Sequence, residues 1–423
     1  MRDNTPPRPA DIEDDFEEVY DENDGPPPED DDDLEMEEIT LEELESRLQT
    51  GAYDSDEEGE NRKSPVQDDS ILTFQQHSAP VFACAFNPQN NICATGGEDD
   101  KVYVWNRNTG EVIQEITDHK DTVTEVHFNH DGTYLATGDM AGEILLHKLQ
   151  ESSGGSTENE GAGVAGVTLR KVWEYSMGDM SWMRWHKGAN VLIAGSEDGE
   201  IYVFRLPAGD CKILPGQGVR CESGEITGDG KKLYASYNNG TVKLWDIKTA
   251  TVVMEIDEHN PMVHQEGSTT VACDKESPLY MSGDENGKII FSTPNGPVGM
   301  VEANGAVECL AFSPSADFRM AASGTLHGQV AIWDHSKLSL RAECEHADDG
   351  VTKIQWISDF TILVSTLQGN VIAYDARTGQ RKFTLSGHLA EVYTFCYDPK
   401  ESLLLTVSED NSAKIFKVPE LGD

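Results

Sequence analysis

The chain has 423 residues and sets 77 acidic against 32 basic side chains, a formal charge of −45 at pH 7. So acidic a surface repels phosphate backbones and anionic lipid, which excludes direct nucleic-acid binding and favours a basic protein or basic peptide segment as partner. No run of about 18 apolar residues occurs, and the opening MRDNTPPRPADIEDD is not a basic start followed by an apolar stretch, so neither secretion nor membrane insertion is expected.

Residues 1–70 carry 28 of the acids and only 5 of the bases. Proline clusters and blocks such as EDDDD leave too little apolar area to offset the entropy of ordering, so this segment reads as a disordered acidic arm. Inside it Thr40 and Glu43 form a capping-box pattern, and Leu34, Met36, Ile39, Leu41, Leu44 and Leu48 recur at roughly helical spacing. That pattern fits either a helix formed on a partner or a transient helix in a solvated tail.

From residue 71 the texture becomes short alternating apolar runs broken by Gly, Asp or Asn, which is an all-β signature. Eight segments end alike: KVYVW (101–105), EILLH (143–147), EIYVF (200–204), TVKLW (241–245), KIIFS (288–292), QVAIW (329–333), NVIAY (370–374) and SAKIF (412–416). Successive endings lie 41 to 47 residues apart, with one gap of 57. This is the period of a four-stranded propeller blade, and it predicts an eight-bladed β-propeller over 71–423. The long gap has a visible cause in ESSGGSTENEGAGVAGV at 151–167, a flexible insertion after the second repeat.

Each repeat carries a tight turn before its closing run. Asp99, Asp198 and Asp410 stand six residues before the closing aromatic, Asn239 and Asn286 hold the same offset, and Ala141, His327 and Gln368 depart from it. Such a turn residue can bond the backbone and a nearby His, and His77, His119, His346 and His388 recur at repeat starts, so these are read as structural. A propeller must also protect its edge strands. ILTFQQ, residues 71–76, has the character of an outer strand and nothing comparable follows Phe416, so 71–76 is expected to complete the last blade.

The lone His starts, the Asp turns and the Trp-Asp endings (WDI at Trp245, WDH at Trp333, YDA at Tyr374) resemble the WD-repeat, or WD40, family. More narrowly, LTFQQHSAPVFACAFNP, GGEDDKVYVW, HKDTVTEVHFNHDGTYLATGDMAG, WMRWHKGANVLIAGSEDG and YDARTGQRKFTLSGHLAEV look like the angio-associated migratory cell protein family, in the same order and behind a similar acidic arm. The resemblance implies a dedicated chaperone role for a newly made, basic large-subunit ribosomal protein, as assigned to a yeast member. It also implies a link to cell migration, as assigned to animal members.

In a propeller, the residue before the turn Asp and the residue before the first Val of the inner strand reach one face around the central channel. The first position supplies Glu98, Glu197, Glu285 and Glu409, and the second supplies Asp179 and Glu391. Arg220 opposes them, while Met140, Asn238, Leu326 and Leu367 are neutral. The face is therefore expected to be an acidic rim suited to a Lys- and Arg-rich segment. An exposed ion pair contributes only about 0–1 kcal/mol whereas nanomolar binding needs roughly 12 kcal/mol, so apolar anchors are required. By register the candidates are Trp182, Trp185, Met140 and Leu326. Trp185 aligns with the core residue Phe86, which leaves Trp182 as the aromatic anchor.

No GxSxG, HExxH or P-loop string occurs, and the eight cysteines contain no CxxC pair. They read as reduced core thiols. The expectation is a monomeric, protein-binding scaffold with no enzymatic activity, metal or cofactor, working in the cytoplasm. The nucleus stays open, since no Lys and Arg cluster marks import. The leading function is a chaperone or assembly adaptor for a basic client. The alternatives are a signalling or cell-migration adaptor using the blade sides and the 151–167 loop, and a ubiquitin-ligase substrate receptor hinted at by YDAR, Tyr374–Arg377.

Overall fold

The structure, a computed structural model, describes residues 67–151, 166–347 and 349–421. The arm up to residue 66 and positions 152–165 of the insertion lie outside the described residues, including the candidate helix at 34–48. Among the described residues there are eight four-stranded antiparallel sheets and one short 3-10 turn, Ala316–Phe318. Seven blades are continuous in sequence: Val81–Ile116, Val123–Ser176, Met180–Leu214, Cys221–Ile256, Ser268–Glu302, Val307–Glu343 and Val351–Leu385. The eighth joins Val392–Lys417 to the strand Ser70–Phe74. The innermost strands touch in cyclic order, so the eight sheets form a closed ring.

The eight repeated endings are the third strands of the blades. They read as unbroken apolar runs because each blade is packed on both faces, as in Val102–Asn106 and Val371–Asp375, which are buried throughout. Eight apolar clusters fill the eight blade junctions. At the last junction, Val81, Cys93 and Trp105 of blade 1 pack against Leu405, Val407 and Ile415 of blade 8.

Ring closure joins the two ends of the chain. Phe74 pairs with Ala413 and Leu72 with Ile415, which covers an edge that would otherwise be open. Phe74 also stacks flat on Trp105 of the next blade, with ring centroids 4.4 Å apart. The attachment begins before residue 71: Asp68 accepts an ion pair from Lys414 Nζ at 2.7 Å, and Asp69 and Ser386 exchange two hydrogen bonds. The boundary at 70 expected for the arm therefore moves back to 66, and the closing strand is Ser70–Phe74 instead of 71–76. The insertion is also shorter than its composition implied, because Glu151 and Val167 pair as the last rung of a long hairpin.

The turn between second and third strands repeats around the ring. Five residues before each closing position the backbone has positive φ, at Asp100, Gly142, Gly199, Gly240, Gly287, Gly328, Gly369 and Asn411. Glycine, Asn and Asp are the residues that tolerate this conformation. At Gly142 a side chain is barred twice, since a Cβ would lie 1.7 Å from the Gly178 carbonyl oxygen.

Among the described residues, His and Asp brace these turns in four blades. His77 Nδ1 bonds Asp99 at 3.0 Å and His388 Nδ1 bonds Asp410 at 3.0 Å, both through the turn residue read from the sequence. In blades 2 and 5 the carboxylate comes instead from two residues earlier: His119 bonds Asp139 at 3.1 Å, and His264 bonds Asp284 at 2.8 Å. There Ala141 and Asn286 occupy the usual position. In all four blades the other ring nitrogen meets a buried hydroxyl, that of Thr95, Thr137, Ser282 or Thr406. The expected core role of the cysteines holds for Cys93, Cys221, Cys273, Cys309 and Cys344, whereas Cys211 is exposed on an outer strand.

Candidate partner-binding face

The eight turns carry the rim. Each rim residue of the first set is the leading corner of its turn, the position just after the last residue of the second strand, so its side chain leaves the sheet. In seven of the blades its backbone N–H donates to the carbonyl of the residue that precedes the inner strand. This bond joins Glu98 to Pro80, Met140 to Thr122, Glu197 to Asp179, Asn238 to Arg220, Leu326 to Ala306, Leu367 to Gly350 and Glu409 to Glu391, all at 2.9–3.1 Å. The two sets of positions inferred from the sequence are thus neighbours on one face. Glu98, Asp179, Glu197 and Glu285 are exposed there, and Glu391 and Glu409 are half-buried.

The carboxylates fall into two arcs. In blades 8 and 1, Glu98, Glu391 and Glu409 surround Tyr393, whose hydroxyl donates to Glu409. Burial, that hydrogen bond and the three carboxylates together push the phenol well above its ordinary value. Its ring lies flat on Phe82, centroids 4.7 Å apart and planes at 14°. In blades 3 to 6, Arg220 Nε bridges Glu197 at 3.2 Å and Glu222 at 3.1 Å. Burial raises the Glu222 carboxyl, Arg220 lowers it, and Glu197 and Glu285 raise it further, with a net upward shift. Glu308 is raised by burial and then by Glu285. Burial is the larger cause of both shifts, and the neighbouring carboxylates that add to it mark a concentrated negative potential that a seated cation relieves.

Glu222, Glu308, Phe82 and Tyr393 were not read from the sequence. All four are the second residue of an inner strand, in Val81–Phe86, Cys221–Ile226, Val307–Phe312 and Val392–Asp398, and they line the channel mouth just inside the rim. Extending the register count by two residues from the position used for Asp179 and Glu391 finds them.

Trp182 is corrected. It is only 2% exposed and does not reach the rim. Each inner strand slips register between its first and third residues, here between Met180 and Trp182, which redirects the third side chain into the seam between blades. The indole fills a slot between Gly195 of its own blade and Gly224 of the next, and a Cβ on either glycine would come within 2.3 Å of it. Trp185 is half-buried against the blade 2–3 core, and its indole N–H donates to the His127 carbonyl at 3.0 Å. Met140 and Leu326 are exposed, at 52% and 48%, and stay on the rim.

Below the mouth the channel opens into a polar cavity of about 460 Å³. Its charges are committed to neighbouring blades. Although burial pushes the Glu125 carboxyl up, Arg184 at 3.3 Å, His127 and the Met183 N–H outweigh it and hold it below the usual range. Lys353, lowered by burial, donates to Thr394 Oγ1 at 3.1 Å and to the Phe395 carbonyl at 2.7 Å. These pairs are inter-blade ties. On blade 7, Arg377 makes a two-pronged contact with Asp375 and lies 4.5 Å from the Phe360 ring centre. The guanidinium of the YDAR segment thus braces its own turn.

The WD domain, G-beta repeat model matches residues 68–106, 110–147, 296–334 and 379–417. Each matched segment runs from the outer strand of one blade through the third strand of the next, the offset by which the Ser70–Phe74 strand closes the ring. Over 426 aligned residues the chain is 33% identical to the human angio-associated migratory cell protein, covering 95% of this chain and 92% of that one. The chain belongs to the angio-associated migratory cell protein family. More distantly, this family member is 21% identical to the ribosome assembly protein SQT1 of Saccharomyces cerevisiae, over 84% of this chain and 88% of that one. Its fold matches that of Chaetomium thermophilum Sqt1 bound to the N-terminus of the ribosomal protein L10, with TM-score 0.74 and 23% identity over 83% of this chain and all of the other. No helix among the described residues is long and apolar enough to cross a membrane.

Proposed function

We propose that this protein is a dedicated chaperone or assembly adaptor that holds a basic segment of a newly made large-subunit ribosomal protein on its acidic channel mouth. The observation that carries the reading is the carboxylate-lined mouth with a stacked aromatic pair at its edge: Glu222, Glu285 and Glu308 on one side, Glu98, Glu391 and Glu409 around Phe82 and Tyr393 on the other. Lys and Arg side chains meet the carboxylates, and their aliphatic stems or an apolar neighbour cover the aromatic rings. The ribosome assembly relative and the fold neighbour bound to the L10 N-terminus support this client class. On this reading the protein works in the cytosol, where ribosomal proteins are made.

The test is binding of a synthetic peptide with the N-terminal sequence of the same organism's L10 protein, by calorimetry at low and moderate salt. Wild type binds, and a variant with Glu98, Glu197, Glu285 and Glu409 all changed to Gln loses at least tenfold while still melting cooperatively. Equal binding by both proteins, or none by wild type, removes the reading. The second reading, an adaptor in cell migration, is favoured by the name of the more similar animal relatives. It predicts partners insensitive to those four substitutions.

A further inference from the structure

A second surface has the opposite charge. Antiparallel topology puts the rim turns at one end of each blade and the loops that join first to second and third to fourth strands at the other. At that other end, blades 3 and 4 part to leave an open groove of about 640 Å³. Its floor is apolar, formed by Ala189, Val191, Val203 and Ile247. Around it stand four cations, Arg205, Lys212, Lys231 and Lys248, against two carboxylates, Asp210 and Asp246. In a chain of net charge −45 a locally positive groove runs against the composition.

Two of these four cations are uncommitted and a third is weakly held. Lys231 and Lys248 are exposed and make no ion pair among the described residues. Arg205 meets Asp210 at 3.7 Å with both side chains at least 70% exposed, a contact of little energy that a ligand can replace. Asp246 is turned into its own loop, accepting from the Thr249 hydroxyl at 2.9 Å and the Thr249 N–H at 2.8 Å. Two side-chain hydrogen bonds cross the blade junction at the groove: His186 Nε2 donates to the Gly230 carbonyl at 3.0 Å, and Lys212 Nζ donates to the Lys248 carbonyl.

We propose that this groove docks an acidic peptide segment of a partner protein, one with carboxylates flanking a large apolar side chain that enters between Val203 and Ile247. The four cations come from four different strands or the loops beside them, so they match charges spaced along a chain better than a single compact anion. The protein would then carry two surfaces of opposite preference, the mouth for a basic segment and the groove for an acidic one. This proposal does not depend on the identity of the mouth's client.

The test uses the full-length protein and an array of 16-residue peptides of one composition in shuffled order: eight Asp or Glu, three Leu, one Phe and four Ser or Gly. Matched arrays replace the acids by Asn and Gln, or the apolar residues by Ser. At about 150 mM salt, where the screening length is near 8 Å, a subset of the acidic apolar peptides binds wild type. The same peptides bind K231E/K248E at least tenfold more weakly, and they bind E98Q/E285Q as they bind wild type. Both variants change exposed side chains, and their melting curves are compared with wild type. The proposal is overturned if the acid-free array binds as well, if the apolar-free array binds as well, or if K231E/K248E retains the wild-type affinities.

Discussion

The ring of Phe82, on the first blade, stacks on that of Tyr393, on the last, at the channel mouth. The pair exists only because the ring closes, and the Tyr393 hydroxyl ties it to Glu409. Aromatic anchors beside charged groups concentrate binding energy. Phe82→Ala and Tyr393→Ala are each expected to weaken binding of a basic L10-type N-terminal peptide about tenfold, roughly 1.4 kcal/mol. An aromatic pair contributes about 0.5–1.5 kcal/mol to stability, so the melting temperature should fall by only a few degrees. Calorimetry with either variant at wild-type affinity would remove the pair from the binding face.

Acid should release a basic client before it unfolds the ring. Burial and neighbouring carboxylates raise Glu222 and Glu308 above the ordinary glutamate value near 4.3. A raised carboxyl becomes neutral as pH falls through its elevated pKa, so its attraction for a cation is lost earlier than at a free glutamate. The turn aspartates behave in the opposite sense. Burial pushes Asp139 and Asp284 up, but the His119 and His264 bonds and backbone N–H donors outweigh it and leave both below the ordinary value. Their contribution is complete above the unfolded aspartate value near 3.9 and is lost only as pH drops below it toward the folded value. Peptide affinity measured from pH 7 to pH 4.5 should therefore decline while circular dichroism stays native. Loss of both signals together would mean that the mouth carboxylates do not titrate early.

Trp182 is expected to matter for stability. Trp182→Ala empties the seam between blades 3 and 4 and should cost about 3–5 kcal/mol in urea unfolding. Gly224→Ala pushes a methyl into the indole and should cost about 1–3 kcal/mol. Neither substitution alters the exposed rim carboxylates, so peptide affinity of the folded fraction should match wild type. A selective loss of affinity without a shift in the urea midpoint would return Trp182 to the binding face.

Two truncations test how the ring is held shut. Removing residues 1–60 leaves Asp68, Asp69 and the whole Ser70–Phe74 strand, and the thermal melt should match the full chain. Removing residues 1–78 deletes that strand, the Phe74 stack on Trp105 and the His77 bond to Asp99, and exposes the edge of Ala413–Lys417. Gross destabilisation and aggregation are expected. Coincident melts of the two truncations would show that the strand is dispensable.

The repeats were legible because a blade is a local object. Four strands and three turns fit within about 45 residues, so periodicity revealed the eight closing runs, the small-residue turns and the unpaired strand ahead of His77. The rim was legible for the same reason: its residues sit at a fixed offset from each turn, and Glu98, Glu197, Glu285 and Glu409 follow from that offset alone. The reading failed where one blade meets the next. Trp182 was placed by strand alternation, which the register slip at the start of every inner strand breaks. The His partners in blades 2 and 5 were missed because Asp139 and Asp284 lie two residues before the six-residue offset at which the turn carboxylate was sought.

By itself the sequence determined the all-β class, the count of eight blades, the place of the closing strand and the acidic character of one face, because hydrophobic period and turn chemistry act over a few residues. Only the tertiary structure decided that Phe82 meets Tyr393, that Trp182 wedges a seam and that Lys231 and Lys248 flank an apolar groove. Each of those depends on contacts between different blades, where ring closure and the bulged inner strands set which side chains converge.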